Sequence, residues 1–148
     1  LSVFEDDRVD AIVPLAGDAY LFDQAGLAEI SIPVMAITGS KDTGTPPAWG
    51  ATMTYDYVSS ATKALVSFDN AEHMIFFSDC ETLPWFAMLG IYAGCSDPVW
   101  DMQRAHDLTN HFTTAFLLAQ LRQDPDAAAA LAPSAVSFLG ITYQAQGF

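Results

Sequence analysis

Three titratable residues stand where apolar runs give way to turns: Asp18 in "LAGDAY", Asp42 in "TGSKDTGTPP" and His73 in "FDNAEHM". A carboxylate and an imidazole can divide one task. The imidazole takes a proton from a nucleophile, while the carboxylate holds its correct tautomer and stabilises the imidazolium that forms. Each residue also has a plainer reading. Asp is common at turns and helix caps, so Asp42 alone reads as a turn residue before the prolines, and His73 alone as a polar residue at a strand end. Only the order of acid, strand and histidine raises them above that.

The elements that must position these groups can be read from hydropathy. "VDAIVPLAG" (9–17), "IPVMAITGS" (32–40) and "KALVSF" (63–68) are nearly continuous apolar runs, the pattern of strands covered on both faces, as in a parallel sheet. Between the second and third, Pro46 and Pro47 suit a helix entry, and Trp49, Met53 and Tyr57 keep an i, i+4 spacing. Strand, helix, strand is the crossover unit of a parallel α/β sheet. Asp97-Pro98 reads as the N-cap and first residue of a long helix whose apolar positions Leu108, Phe112, Phe116 and Leu117 run to about Leu121. "DAAAALA" reads as a short helix, and "VSFLGITYQ" as a terminal strand or extended tail. No internal repeat or low-complexity linker divides the chain, so residues 1–148 read as part of one domain. In an open α/β sheet, functional groups gather beyond the carboxyl ends of the strands, where all three candidates fall.

Acid first and histidine later, each after a strand, is the triad order of α/β-hydrolases once the serine has passed. The segments "GSKDTGTPP", "NAEHMIFFSDC" and "DPVWDMQRAHDLTNHFTTAFLLAQL" resemble the C-terminal portion of dienelactone-hydrolase-like and platelet-activating-factor-acetylhydrolase-like serine esterases, over nearly the whole chain. The resemblance implies an α/β fold, specifically the C-terminal half of an α/β-hydrolase domain. It places the catalytic acid at Asp42 in G-x-x-D-x-x-x-P, the base at His73, and the last packing helix after the cysteine-containing segment. Asp18 is the alternative acid, because acetylhydrolase-like members can carry theirs one strand earlier. The nucleophile elbow G-x-S-x-G occurs nowhere in the 148 residues. The serine is therefore expected upstream of Leu1, on an N-terminal segment or companion chain that also supplies the rest of the sheet and the oxyanion donors. The implied activity is hydrolysis of hydrophobic carboxylic esters, with no cofactor. The alternatives are a dienelactone-type hydrolase with a cysteine nucleophile and a non-catalytic binding protein of the same fold.

Composition narrows the partners. Eighteen acidic against five basic residues give a net charge of −13, which repels polyanions, so nucleic acid and anionic membranes are poor partners. The uncharged stretch Thr82 to Ser96 is interrupted by Pro84, Gly90 and Gly94 and is shorter than the roughly 20 residues of a membrane span. No basic n-region and apolar h-region of a secretory signal is read in the first residues, and Leu1 is not Met. Cys80 and Cys95 are spaced either for a disulfide across a loop or as two buried thiols. A bridge implies a secreted or periplasmic protein. His106 and His111 do not share a helical face and read as packing or surface residues. Phe76, Phe77, Trp85, Phe86 and Tyr92 read as core or as the lining of an acyl pocket. The acidic cluster Glu5-Asp6-Asp7 reads as a solvated loop without calcium-loop spacing.

Overall fold

A computed structural model describes residues 6–148 and shows mixed helices with a small, partly parallel sheet. Strands β1 (Val34–Gly39) and β2 (Lys63–Phe68) pair in parallel, with Val34 opposite Lys63 and Gly39 opposite Phe68. Helix α1 (Asp23–Ala28) precedes β1, and α2 (Ala51–Tyr57) makes the crossover from β1 to β2. The terminal segment forms a true strand, β3 (Ile141–Gln146), antiparallel to β2, giving the order β1-β2-β3.

Residues 9–17 do not form the full strand their composition suggests. They pair with β1 at two isolated parallel bridges, Ile12 with Val34 and Leu15 with Ile37. Pro14 has no N–H to give a ladder, although its carbonyl accepts the Ile37 N–H at 3.0 Å. Ala16 then turns into the left-handed region, at φ 46°, and ends the run.

Every residue of β1 is buried, and the two faces of the strand explain why. Met35 and Ile37 join Val66, Phe68, Phe112, Phe116 and Leu131 in the main core. Ala36 and Val34 point the other way, toward Ala51 and Leu65 and toward Leu27 and Val58. The main core is closed by α4 (Met102–Arg122), whose inward positions include Ala105, Leu108, Phe112, Ala115 and Phe116. The N-cap of α4 is Asp101, which accepts the Arg104 N–H at 2.8 Å, and not Asp97. Asp97 is engaged elsewhere, as described below. Gln123 ends α4 in the left-handed region at φ 55°, and Asp124 caps α5 (Pro125–Ala130) by accepting the Asp126 and Ala127 N–H groups.

Cys80 and Cys95 are joined in a disulfide, with Cα atoms 4.8 Å apart, and the loop between them carries α3 (Pro84–Met88). Closing a loop of this length stabilises a fold by roughly 3 kcal/mol in the chain-entropy account. At ~2–4 °C per kcal/mol for a domain of this size, reduction should lower Tm by roughly 6–12 °C. Calorimetry with and without reductant measures this, and an unchanged Tm would show that the bridge constrains nothing in the unfolded chain. Among the described residues, no helix is long and apolar enough to cross a membrane.

Candidate functional site

The site is built where β1 and β2 end side by side. Backbone hydrogen bonds stitch their exits together: the Ser40 N–H donates to the Phe68 carbonyl at 2.9 Å, and the Lys41 N–H to the Ala71 carbonyl at 2.9 Å. This approach requires glycine at the end of β1. A Cβ on Gly39 would stand 2.5 Å from the Ala71 carbonyl oxygen, a backbone atom that cannot move aside. Asn70 takes φ 61°, a conformation that Asn tolerates better than most residues, and donates its N–H to Ser40 Oγ at 2.8 Å. The chain then turns through extended Glu72 into a short 3-10 turn, His73–Phe76, which presents the histidine at its first position.

Asp42 follows β1 by a tight turn in which its N–H donates to the Gly39 carbonyl. Its carboxylate side chain is fully buried, whereas the His73 side chain is 41% exposed. His73 Nδ1 lies 2.8 Å from Asp42 Oδ2. The other carboxylate oxygen, Oδ1, accepts the Thr45 N–H at 2.7 Å. A carboxylate only accepts, so the pairing assigns the proton to Nδ1 when the ring is neutral and leaves the Nε2 lone pair unoccupied. Among the described residues, Nε2 has no hydrogen-bond partner.

Thr45 completes the arrangement. Its hydroxyl donates to the Ala16 carbonyl at 2.7 Å and lies 3.0 Å from Asp42 Oδ2 and 3.2 Å from His73 Nδ1. With its one proton on Ala16, the oxygen offers a lone pair to the same Nδ1–H that Asp42 accepts. Gly44 packs against the imidazole face, where a Cβ would stand 3.0 Å from the ring Cγ. The ring is thus held in its plane from one side and by its Nδ1 edge.

Asp18 is not part of this constellation. It is exposed and accepts the Tyr20 N–H at 3.0 Å, closing a local turn. His106 lies apart as well, donating from Nε2 to the Phe77 carbonyl at 2.8 Å, while His111 packs edge-on against Phe112 and Phe138. Asp6 spends its carboxylate on Arg8 in an exposed pair, which holds its pKa below the usual carboxylate range, and Glu5 lies outside the described residues.

His73 opens onto a cleft of about 600 Å³ lined by Thr43, Gly44, Glu72, Met74, Ala93, Ser96 and Pro98. No protein-family model matches this chain, and no curated protein does. The five aromatics expected as a possible pocket lining are not among the residues of this cleft. Phe76 packs edge-on against Phe68, and Phe77 and Trp85 pack on Phe86 instead. Ser96 shares the cleft, but its hydroxyl donates to the Tyr92 carbonyl at 2.7 Å and makes no hydrogen bond to His73.

Two residues around the site have roles there that no sequence motif assigns. Thr45 stands three positions after Asp42, the spacing at which an Asp side chain caps a following N–H, and that spacing was the available signal. Asp97-Pro98 has the composition of a helix cap, and the same dipeptide also marks a turn. Its role is long-range, and no local pattern reports it.

Proposed function

We propose that this chain carries the acid and base of a serine-type hydrolase of carboxylic esters and is the C-terminal part of an α/β-hydrolase domain. His73 is the general base, Asp42 orients it, and the nucleophilic serine with its oxyanion donors lies on sequence outside these 148 residues. The observation that carries the reading is the 2.8 Å contact of a half-exposed imidazole with a fully buried carboxylate, with Nε2 left free. The carboxylate has no lysine or arginine partner among the described residues, so the imidazolium formed in the reaction is the cation that faces it.

The steps follow from the two nitrogens. Serine Oγ adds to the acyl carbonyl while its proton passes to His73 Nε2, and Nδ1–H tightens on Asp42 as the ring becomes cationic. The proton then passes from Nε2 to the departing alkoxide, leaving an acyl-enzyme. Water repeats the sequence, with His73 again as base, and releases the acid. Met74, Ala93 and Pro98 give the cleft an apolar side suited to a hydrophobic ester, whether a small ester, a lipid or an aromatic polyester. The disulfide is compatible with a secreted or periplasmic location.

Both cysteines of the chain are in the bridge, so a cysteine nucleophile, like the serine, would have to come from outside it. The test is made on the complete protein. A fluorophosphonate should label one serine outside residues 1–148 and stop hydrolysis of p-nitrophenyl esters in step with labelling. Turnover blocked by iodoacetamide instead would assign a cysteine nucleophile. Neither labelling nor turnover would leave a binding protein.

A further inference from the structure

We propose that Asp97 is a positioning residue for His73, acting through the backbone of Glu72; the catalytic consequence rests on the hydrolase reading above. Asp97 is 9% exposed and spends both carboxylate oxygens on backbone donors. Oδ1 accepts the Val99 and Trp100 N–H groups, each at 2.9 Å, which folds residues 97–100 into a turn. Oδ2 reaches across 25 residues of sequence to accept the Glu72 N–H at 2.8 Å. Glu72 directly precedes His73, and its extended conformation, φ −93° and ψ 177°, aims the first residue of the 3-10 turn at Asp42. The same turn makes a second tie to this loop, because Trp100 Nε1 donates to the Asp69 carbonyl at 2.9 Å while its ring packs 5.0 Å from Phe68. Cys95, shortly before Asp97, is anchored to Cys80, so the turn is tethered on both sides.

The arrangement has a division of labour. Asp42 fixes the imidazole by its Nδ1 edge, but a side-chain contact cannot fix where the backbone places the ring. Asp97 supplies that constraint from a different element. Without the Glu72 tie, the N–H directly before His73 loses its side-chain acceptor, the nearest remaining one being Ser40 Oγ on the Asn70 N–H, and the Nδ1 contact becomes one of several reachable geometries.

Asp97→Asn isolates this contact. The amide oxygen can still accept from Val99 and Trp100, keeping the turn, while the amide NH2 then faces the Glu72 N–H, donor against donor. In the complete protein, two readings are taken: the downfield proton NMR signal of His73 Nδ1–H, and kcat with KM for a p-nitrophenyl ester. The signal should broaden by exchange with water, and kcat should fall on the order of 10- to 100-fold with KM nearly unchanged, as misplacement of about an ångström costs in other sites. An unchanged signal with unchanged kcat, whatever happens to Tm, overturns the proposal and leaves Asp97 merely structural. A broadened signal in a protein that hydrolyses no ester keeps the positioning role and overturns the hydrolase reading instead. Should Asp97→Asn fail to fold, Glu72→Pro deletes the donor rather than the acceptor and leaves the Asp97 turn in place; the same two readings then decide.

Discussion

On the proposed hydrolase reading, His73→Ala in the complete protein should reduce kcat for ester hydrolysis by roughly 10^4- to 10^6-fold, because base and nucleophile act as a unit and losing one loses most of what both contribute. KM should change little, since the imidazole meets the reacting proton rather than the body of the substrate. Fluorophosphonate labelling should slow in parallel, as the serine loses the base that activates it. The fold should survive. The His73 side chain is 41% exposed, and the buried Asp42 carboxylate keeps the Thr45 N–H. Circular dichroism and Tm therefore accompany the kinetics, and turnover retained within tenfold in a folded variant would remove His73 from the mechanism.

Asp42→Asn should cost about 10^4-fold in kcat while Asp18→Asn leaves it within a factor of about two. The asymmetry follows from what each carboxylate touches. An amide at position 42 can still accept the Thr45 N–H through Oδ1, so the turn persists. Its NH2 then faces Nδ1 and favours the tautomer with the proton on Nε2, the nitrogen that must be empty to act as a base. Among the described residues Asp18 accepts only the Tyr20 N–H, and Asn can do the same. Side-by-side kinetics of the two variants decide the acid. Loss of activity in Asp18→Asn with retention in Asp42→Asn would reverse the assignment.

Part of the site was legible because it is local. Asp42 and His73 could be placed at strand ends from hydropathy alone, since β1 and β2 are short, continuously apolar and bounded by turn residues. The crossover helix between them follows from the same reading, although it starts at Ala51, after the turns that Pro46 and Pro47 make. The run 9–17 has the hydropathy of a full strand yet pairs at only two bridges among the described residues, because hydropathy does not register a missing N–H or a left-handed residue, and Pro14 and Ala16 supply one each. The helix after the disulfide starts four residues later than Asp-Pro suggests, for a related reason. Asp-Pro has the composition of a cap, but the Asp97 carboxylate is consumed by the turn and by Glu72, and Asp101 caps α4 instead.

The amino-acid sequence by itself determined the buried strands, the long closing helix and the two residue types that can share a proton, because burial periodicity and side-chain chemistry are properties of short segments. Tertiary structure alone decided which aspartate meets the histidine. Asp18 and Asp42 both follow an apolar run, and nothing local separates them. The parallel pairing of β1 with β2 brings Asp42 within 2.8 Å of a ring 31 residues away, while the shortened run before Asp18 leaves that carboxylate to a surface turn. Choice between the two cysteine readings was likewise made in space, where 15 residues of loop return to a Cα separation of 4.8 Å. Contacts of this kind depend on where the chain comes back, and that is set by the packing of the whole core rather than by any one segment of it.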